Sequence, residues 1–594
     1  MAARYPPIRD YAAIGDGRTV ALVALDGSID WLCLPDLDSP SVFGSVLDAE
    51  RGGRFTLNPR QPHRVSRRYV PDTNVLETTF TTPTGVVRVT DAMALPGSDL
   101  GPARELVRRI EGVAGHVPMR WRVEPRFGYG ARPVRLETRG PYPVATSGSE
   151  AIAVCGWDTG SPQRAASGFE ADFDIGEGAR ATIALIAAHA EPLVFPTRAQ
   201  AEIRLEATTQ FWQRWAAQLT YTGPWRDAVV RSALALKLLV FAPTGAIAAA
   251  ATTSLPEAIG GERNWDYRYS WIRDASFTLE ALLQLGHQAD AKAFFWWFMH
   301  ATRLTLPRLQ AFYRLDGGTA AAERTLALHG YRGSRPVRIG NGAAGQLQLD
   351  AYGELLDAAL LYVNGGHQLG HDTARDLATI ADFVCAHWRE PDAGIWEVRA
   401  QPRHHTQSKA LCWVALDRAI RMAKMGRLPA RHAGRWSTEA AAIRRFIDEK
   451  CWSARKGSYV WYAGTEELDA SLLLMAIMRY DTPESPRLRG TVETIRRELA
   501  SGALLYRYTG DDGLPCGEGA FVCCSFWLAE ALAIAGRRAE AADLMDELLR
   551  LANDLGLYAE EIEPRTHEFL GNFPQGLVHL ALISAAMVMD GPTT

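Results

Sequence analysis

"DASFTLEALLQLGHQADAKAFFWWFMH", residues 274–300, contains two apolar, Ala- and Leu-rich segments that begin near 274 and 289. Only "GHQ" (286–288) separates them. Apolar residues recur at helical spacing, so the stretch reads as two helices joined by a tight turn. The same grammar runs from about residue 225 onward. Segments start near 225, 274, 289, 346, 371, 405, 435, 467, 483, 519, 538 and 570. Connections after the second, fourth, sixth, eighth and tenth are short, as in "AGRRA" (535–539), and those after the odd-numbered segments are long. In a ring of helical hairpins this alternation puts every long loop at one end. Six hairpins closing on themselves form an (α/α)6 barrel with the long loops around one mouth. An open solenoid of helix pairs would carry a consistent repeat sequence, and these segments do not.

Residues 1–200 follow a different pattern. "RTVALVALDGSIDWLCLP" (18–35), "VLETTFTTPTGVVRVTDAMAL" (75–95) and "ARATIALIAAHA" (179–190) are short runs rich in Val, Thr and aromatics, punctuated by Gly, Pro and Asp. Many such runs at short spacing predict an antiparallel β-sandwich. A polar helix, "TRAQAEIRLEATTQFWQRWAAQL" (197–219), follows as a connector. The expected division is a β-sandwich over 1–196, a linker helix over 197–222 and the helical barrel over 223–594.

Composition narrows the function. The 594 residues exceed one ordinary core, and 47% hydrophobic with 22% charged residues describes a globular chain. A net charge of −4 offers no basic field for nucleic acid or anionic lipid. The start, "MAARYPPIRDYAAIGDG", lacks the apolar stretch of a secretory signal, and no run approaches the roughly 20 residues of a membrane span. The eight cysteines form no C-x-x-C pair or zinc-spaced cluster, which fits reduced thiols in a cytoplasmic enzyme. A homo-oligomer is compatible with all of this.

The long loops carry the chemistry. "RNWDYRYSWIRD" (263–274) threads Trp265, Tyr267, Tyr269 and Trp271 through charged residues. Other long loops supply "GIWEVR" with Trp396 and Glu397, "YVWYAGTEE", "YRYTGDDGLPCGEG" with Arg507 and Glu518, and "LYAEEIEP" with Glu560 and Glu561. Taken singly, each has an ordinary explanation: Arg273 and Asp274 could be an ion pair at a helix start, and a lone Glu is usually solvated. Their arrival on one set of loops is informative. Aromatic faces pack on sugar C–H surfaces, fixed Arg and Asp groups bond hydroxyls, and two carboxyls cleave a glycosidic bond as acid and base.

"RNWDYRYSWIRDASF", "YRGSRPVRIGN", "GIWEVR" with "HTQSKALCWVALDRA", and "LYAEEIEPRTHEFLGNFPQGLVHLALI" resemble glycoside hydrolase family 15, the family of glucoamylases and bacterial and archaeal trehalases. The resemblance spans essentially the whole chain, since the β-rich start resembles the N-terminal domain of the trehalase-like branch. It implies that Glu397 is the general acid and Glu560 the general base. It implies that Tyr267, Tyr269, Trp271, Arg273 and Asp274 grip the non-reducing glucose, and it adds Arg335, Trp396, Lys409, Arg507, Glu518 and Glu561 to the substrate-binding set. Glu354, inside the fourth helical segment, is a rival acid. Fungal glucoamylases carry Trp where this chain has Arg335 and a second acid where it has Val398, so a small α-glucoside is expected rather than a starch chain. With "MVMDGPTT" ending the last helical segment, no starch-binding domain is expected. The expected activity is inverting, exo-acting hydrolysis of trehalose or short α-glucans to β-glucose, with no metal or organic cofactor demanded. A glucoside phosphorylase using Arg335 and Arg338 as an anion cradle, and a non-catalytic carbohydrate-binding protein, are the alternatives.

Overall fold

The computed structural model describes residues 5–95, 104–319, 322–508, 510, 512–514 and 517–591. The N-terminal part is antiparallel and is organised around one 21-residue strand, Arg104–Glu124. Its first half pairs with Gly85–Met93 and Arg180–His189, and its second half with Arg54–Pro59 and Gly168–Gly176. One strand thus belongs to two sets of neighbours, and fifteen strands form one connected network. Alternate residues of both halves, among them Ile110, Met119, Trp121, Phe55, Phe80, Phe173 and Ile183, share a single apolar core. The period of two in the sequence creates that core, because successive side chains leave opposite faces of a strand. The shared strand was not expected from the sequence, where "GHVP" (115–118) reads as a break.

Thirteen α-helices lie among the described residues: α1 (Arg198–Ala216), α2 (Arg226–Leu239), α3 (Ala275–Gln284), α4 (Gln288–Arg303), α5 (Asp350–Asn364), α6 (His371–His387), α7 (Thr406–Lys424), α8 (Ala433–Lys450), α9 (Leu474–Ile477), α10 (Pro486–Leu499), α11 (Val522–Ile534), α12 (Arg538–Leu549) and α13 (Gly576–Asp590). The odd-numbered helices from α3 to α13 touch in order, and α13 returns to touch α3. The remaining helices from α2 to α12 lie outside them. Composition sorts the two layers. α11 (VCCSFWLAEALAI) and α13 (GLVHLALISAAMVMD) are apolar around most of their circumference and are buried nearly throughout. Outer α8 buries only Trp436, Ala440, Ile443 and Ile447, one stripe at helical spacing.

Twelve of these helices match the twelve expected segments, with three adjustments. The segment expected near 467 is cut to a 3-10 turn (Ala470–Leu473) and the four-residue α9. Asp469 caps this turn through its side chain, and Arg479 (φ 54°) ends the helical run. α5 and α13 begin later than expected. Before α13, Glu561–Ile562 and Phe569–Leu570 instead pair as short strands with Ala520–Phe521.

Helix α1 is not a bare linker. Thr197 and Gln200 form a reciprocal capping box at its start. The helix then packs on the N-terminal sheet, and Trp215 stacks on His287 at 3.8 Å in the first short turn. The N-terminal part also reaches the loops at the mouth. Trp31 Nε1 donates to the Ala251 carbonyl (2.9 Å), Asn553 Nδ2 to the Tyr11 carbonyl (3.0 Å), and Arg314 pairs with Asp38 (2.9 Å). Seven cysteines are buried and unpaired, while Cys516 lies outside the described residues. No helix among the described residues is long and apolar enough to cross a membrane.

Candidate active site

Each long loop leads from an outer helix to the N-terminus of an inner one, so six helix N-termini face one end. Their partial positive charge favours carboxylates there. A pocket with about 410 Å³ of empty space opens at this end. Its lining includes Glu257, Arg263, Trp265, Tyr267, Trp396, Glu397, Arg399, Arg507 and Asp512.

Glu397 stands on the wall. Its backbone is left-handed (φ 58°), a conformation that costs an L-residue about 1–2 kcal/mol and re-aims the side chain. Its Oε1 accepts a hydrogen bond from Trp271 Nε1 and lies 3.9 Å from Arg273 Nη1. Burial raises the carboxyl above its usual range, and Arg273 and the Trp271 N–H oppose the rise. Arg273 is itself held by Asp274 (2.8 Å) and the Ile395 carbonyl (3.3 Å). Trp396, the neighbour of Glu397, donates through Nε1 to Asp469 (2.8 Å) and so fixes the loop.

Glu560 lies deeper, 1% exposed, with the Tyr267 hydroxyl beside it. Oε2 accepts a long hydrogen bond from the Asn572 N–H (3.4 Å), and Oε1 accepts none from the described residues. Burial and the Glu257 carboxylate push its pKa up to about 8, with Arg507 pulling down. Gly571 presses against it: a Cβ there would stand 2.5 Å from Glu560 Oε2, and φ is +73°. Tyr267 senses both carboxyls, since Glu560 and Glu397 each raise its pKa electrostatically.

Behind them Arg507 gathers an acidic set. Its Nη2 lies 2.7 Å from Glu257, 2.6 Å from Glu518 and 3.9 Å from Glu561. Those three carboxyls offer oxygens within 4.8 Å of one another, a spacing suited to a metal ion. The guanidinium already sits among them, so the cluster is built around an organic cation. Arg263 adds a bidentate pair with Asp512 (2.8 and 2.8 Å), tying the first long loop to the loop after α10.

The expected residues therefore fall into groups. Tyr267, Trp396, Glu397 and Arg507 line the pocket. Trp271 and Arg273 act on Glu397, Asp274 on Arg273, and Glu518 and Glu561 surround Arg507. Tyr269 stacks on Phe312 (5.2 Å) behind Trp271. Two expectations are corrected. Lys409 is fully buried in α7 and donates to the Glu390 carbonyl (2.5 Å), because its position faces the start of the loop after α6. Arg335 is exposed and donates to the His329 carbonyl (3.2 Å), outside the lining. The rival Glu354 is buried on α5, accepts from Ser276 Oγ and does not line the pocket.

Sequence reasoning missed Glu257 and Asp512 and set aside Arg263, Trp265 and Arg399. Glu257 follows Pro256 in the first long loop with no motif to mark it; only its place in that loop was a signal.

Comparison with known proteins gives this geometry its chemistry. Residues 223–587 match the model of glycosyl hydrolases family 15, and residues 1–198 match the trehalase-like N-terminal domain. A trehalase of Mycobacterium tuberculosis is 39% identical, covering 98% of this chain and 89% of its own. A trehalase of Thermoplasma volcanium is 37% identical, covering 99% and 94%. A bacterial glucoamylase solved with acarbose shares the fold at TM-score 0.72 and 12% identity, covering 99% of this chain and 94% of that one. The chain is thus a glycoside hydrolase. It belongs to glycosyl hydrolases family 15.

Proposed function

We propose that the protein is a trehalase that hydrolyses α,α-trehalose with inversion. The supporting observation is that Glu397 lines an aromatic-walled pocket and that Glu560, from a different loop, lies directly behind Tyr267 of the same lining, with Tyr267 sensing both carboxyls. Glu397 protonates the interglycosidic oxygen. Glu560, with the Tyr267 hydroxyl beside it, takes a proton from the water that attacks the opposite face of the glucose. Developing charge on the ring is met by the acidic set around Arg507. The scaffold in this reading is a closed (α/α)6 barrel, 223–594, buttressed by a β-sandwich, 1–196, with 197–222 packed between them. The identity to two trehalases over nearly the whole chain favours trehalose over maltose.

Phosphorolysis needs an anion cradle. Of the two arginines that could supply it, Arg335 lies outside the pocket, and Arg338 is paired with Glu323 (3.3 Å). The test is glucose release by the purified protein from trehalose, maltose and isomaltose, with and without phosphate. Trehalose should give the highest kcat/KM, and no sugar phosphate should accumulate. Strict dependence on phosphate, with glucose phosphate as product, would reject hydrolysis.

A further inference from the structure

The floor of the pocket is buried: Glu257, Tyr267 and Arg507 are all under a tenth exposed, and Glu560 lies behind Tyr267. Its rim is not, since Trp265, Val398 and Arg399 are partly or fully exposed. Glu397, between floor and rim, marks where the scissile oxygen lies, so a departing group rests against the rim.

Three loops build that rim into one unit. The Arg338 and Arg399 guanidinium carbons lie 4.4 and 4.1 Å from the Trp265 ring centre. Glu323 holds both: its oxygens are 2.6 Å from Arg399 Nη2 and 3.3 Å from Arg338 Nε. The Gly342 N–H donates to the same carboxylate (3.0 Å). Asn572, next to the loop of Glu560, donates to the Trp265 carbonyl (2.9 Å) and anchors the ring from below. Two cations stacked on an indole are mutually repulsive unless an anion bridges them, and Glu323 is that anion.

We propose that Glu323, Arg338, Trp265 and Arg399 form the specificity-determining wall for the leaving group. The inference rests on the hydrolase reading above. The Arg399 fork is bidentate to Glu323 (3.3 and 2.6 Å), which fixes its plane over Trp265, and its remaining N–H groups are the donors left for hydroxyls of the departing sugar. The Glu323–Arg399 pair joins the loop after α4 to the loop after α6 at the rim.

The test uses α-glucosyl fluoride, which needs the acid–base pocket but presents no leaving sugar. For Glu323→Gln and Arg399→Ala, kcat/KM on trehalose should fall about ten- to a hundredfold, chiefly through KM, and at least about tenfold more than kcat/KM on α-glucosyl fluoride. Arg399→Lys, which keeps the charge and loses the bidentate hold on Glu323, should fall between. Hydrolysis of the fluoride by each variant also reports that it is folded. Equal losses on both substrates, or unchanged trehalose kinetics, would overturn the wall. Wild-type protein inert toward both substrates would instead overturn the hydrolase reading beneath it.

Discussion

Glu397 and Glu560 are both buried carboxyls on long loops, yet their surroundings oppose each other in kind. Glu397 has cations as its main charged neighbours, Arg273 at 3.9 Å and then Arg399, and one neutral donor, Trp271. Glu560 stands in a crowd of carboxyls, with Glu257 raising its pKa and Arg507 lowering it. Burial alone would push both toward the protonated form, so the neighbours decide what each can do. An acid whose nearest charged partner is an arginine held by Asp274 has a fixed position and one proton to give. In the crowd, titration belongs to the set. A proton held on Glu561, fully buried and pushed well above the usual range by burial and by Glu257, removes one charge that opposes ionisation of Glu560.

The contrast is broken most severely by removing either member. Glu397→Gln and Glu560→Gln should each lower kcat on trehalose by about 10³- to 10⁴-fold, measured by glucose release, because each loses a proton-transfer group. Azide should restore neither on the grounds of bulk alone, but activity within tenfold of wild type would assign the chemistry elsewhere. Next in size is Gly571→Ala. A methyl group 2.5 Å from Glu560 Oε2, on a backbone at φ +73°, must displace the carboxyl, and kcat should fall about a hundredfold with the fold retained by circular dichroism.

Glu257→Gln sharpens the comparison through pH. The base must be ionised, and its raised pKa makes activity fall as the pH drops below about 8. Removing the Glu257 charge lowers that pKa, so the acid limb of the kcat/KM profile should move to lower pH while the limb set by Glu397 stays. An acid limb that moves upward would contradict the assignment. The smallest effect belongs to a third buried carboxyl. Glu354 is pushed well above the usual range by burial and accepts from Ser276 Oγ away from the pocket. Glu354→Gln should change kcat/KM on trehalose by less than about twofold.

The aromatic stretch that carried the sugar-binding expectation shows how far sequence reaches. Alternation from 263 to 274 was legible, and Tyr267 and Trp271 do face the pocket or its acid. The same alternation also sends Arg268 the other way. It is 1% exposed, bidentate to Asp266 (2.8 and 2.7 Å), and donates to the Ser39 carbonyl (2.8 Å) of the N-terminal part. A period of two marks two faces without saying which one meets a ligand. The hairpin alternation placed Glu397 and Glu560 at one end because loop length is a property of the chain. Glu257, Asp512 and Glu323 were invisible for the opposite reason: an acid in a long loop reads as solvated until the partner arginine, 250 residues away for Glu257, is brought to it. Lys409 was misplaced because a motif match gives a residue's position on a helix but not the direction of its side chain.

The most direct test is a proton NMR time course of the anomeric signals during trehalose hydrolysis at high enzyme concentration. Inversion by Glu397 and Glu560 predicts that α- and β-glucose appear at equal initial rates, the leaving glucose keeping its α configuration and the attacked one becoming β. Appearance of α-glucose alone, with β-glucose arising only by later mutarotation, would contradict the acid–base pair.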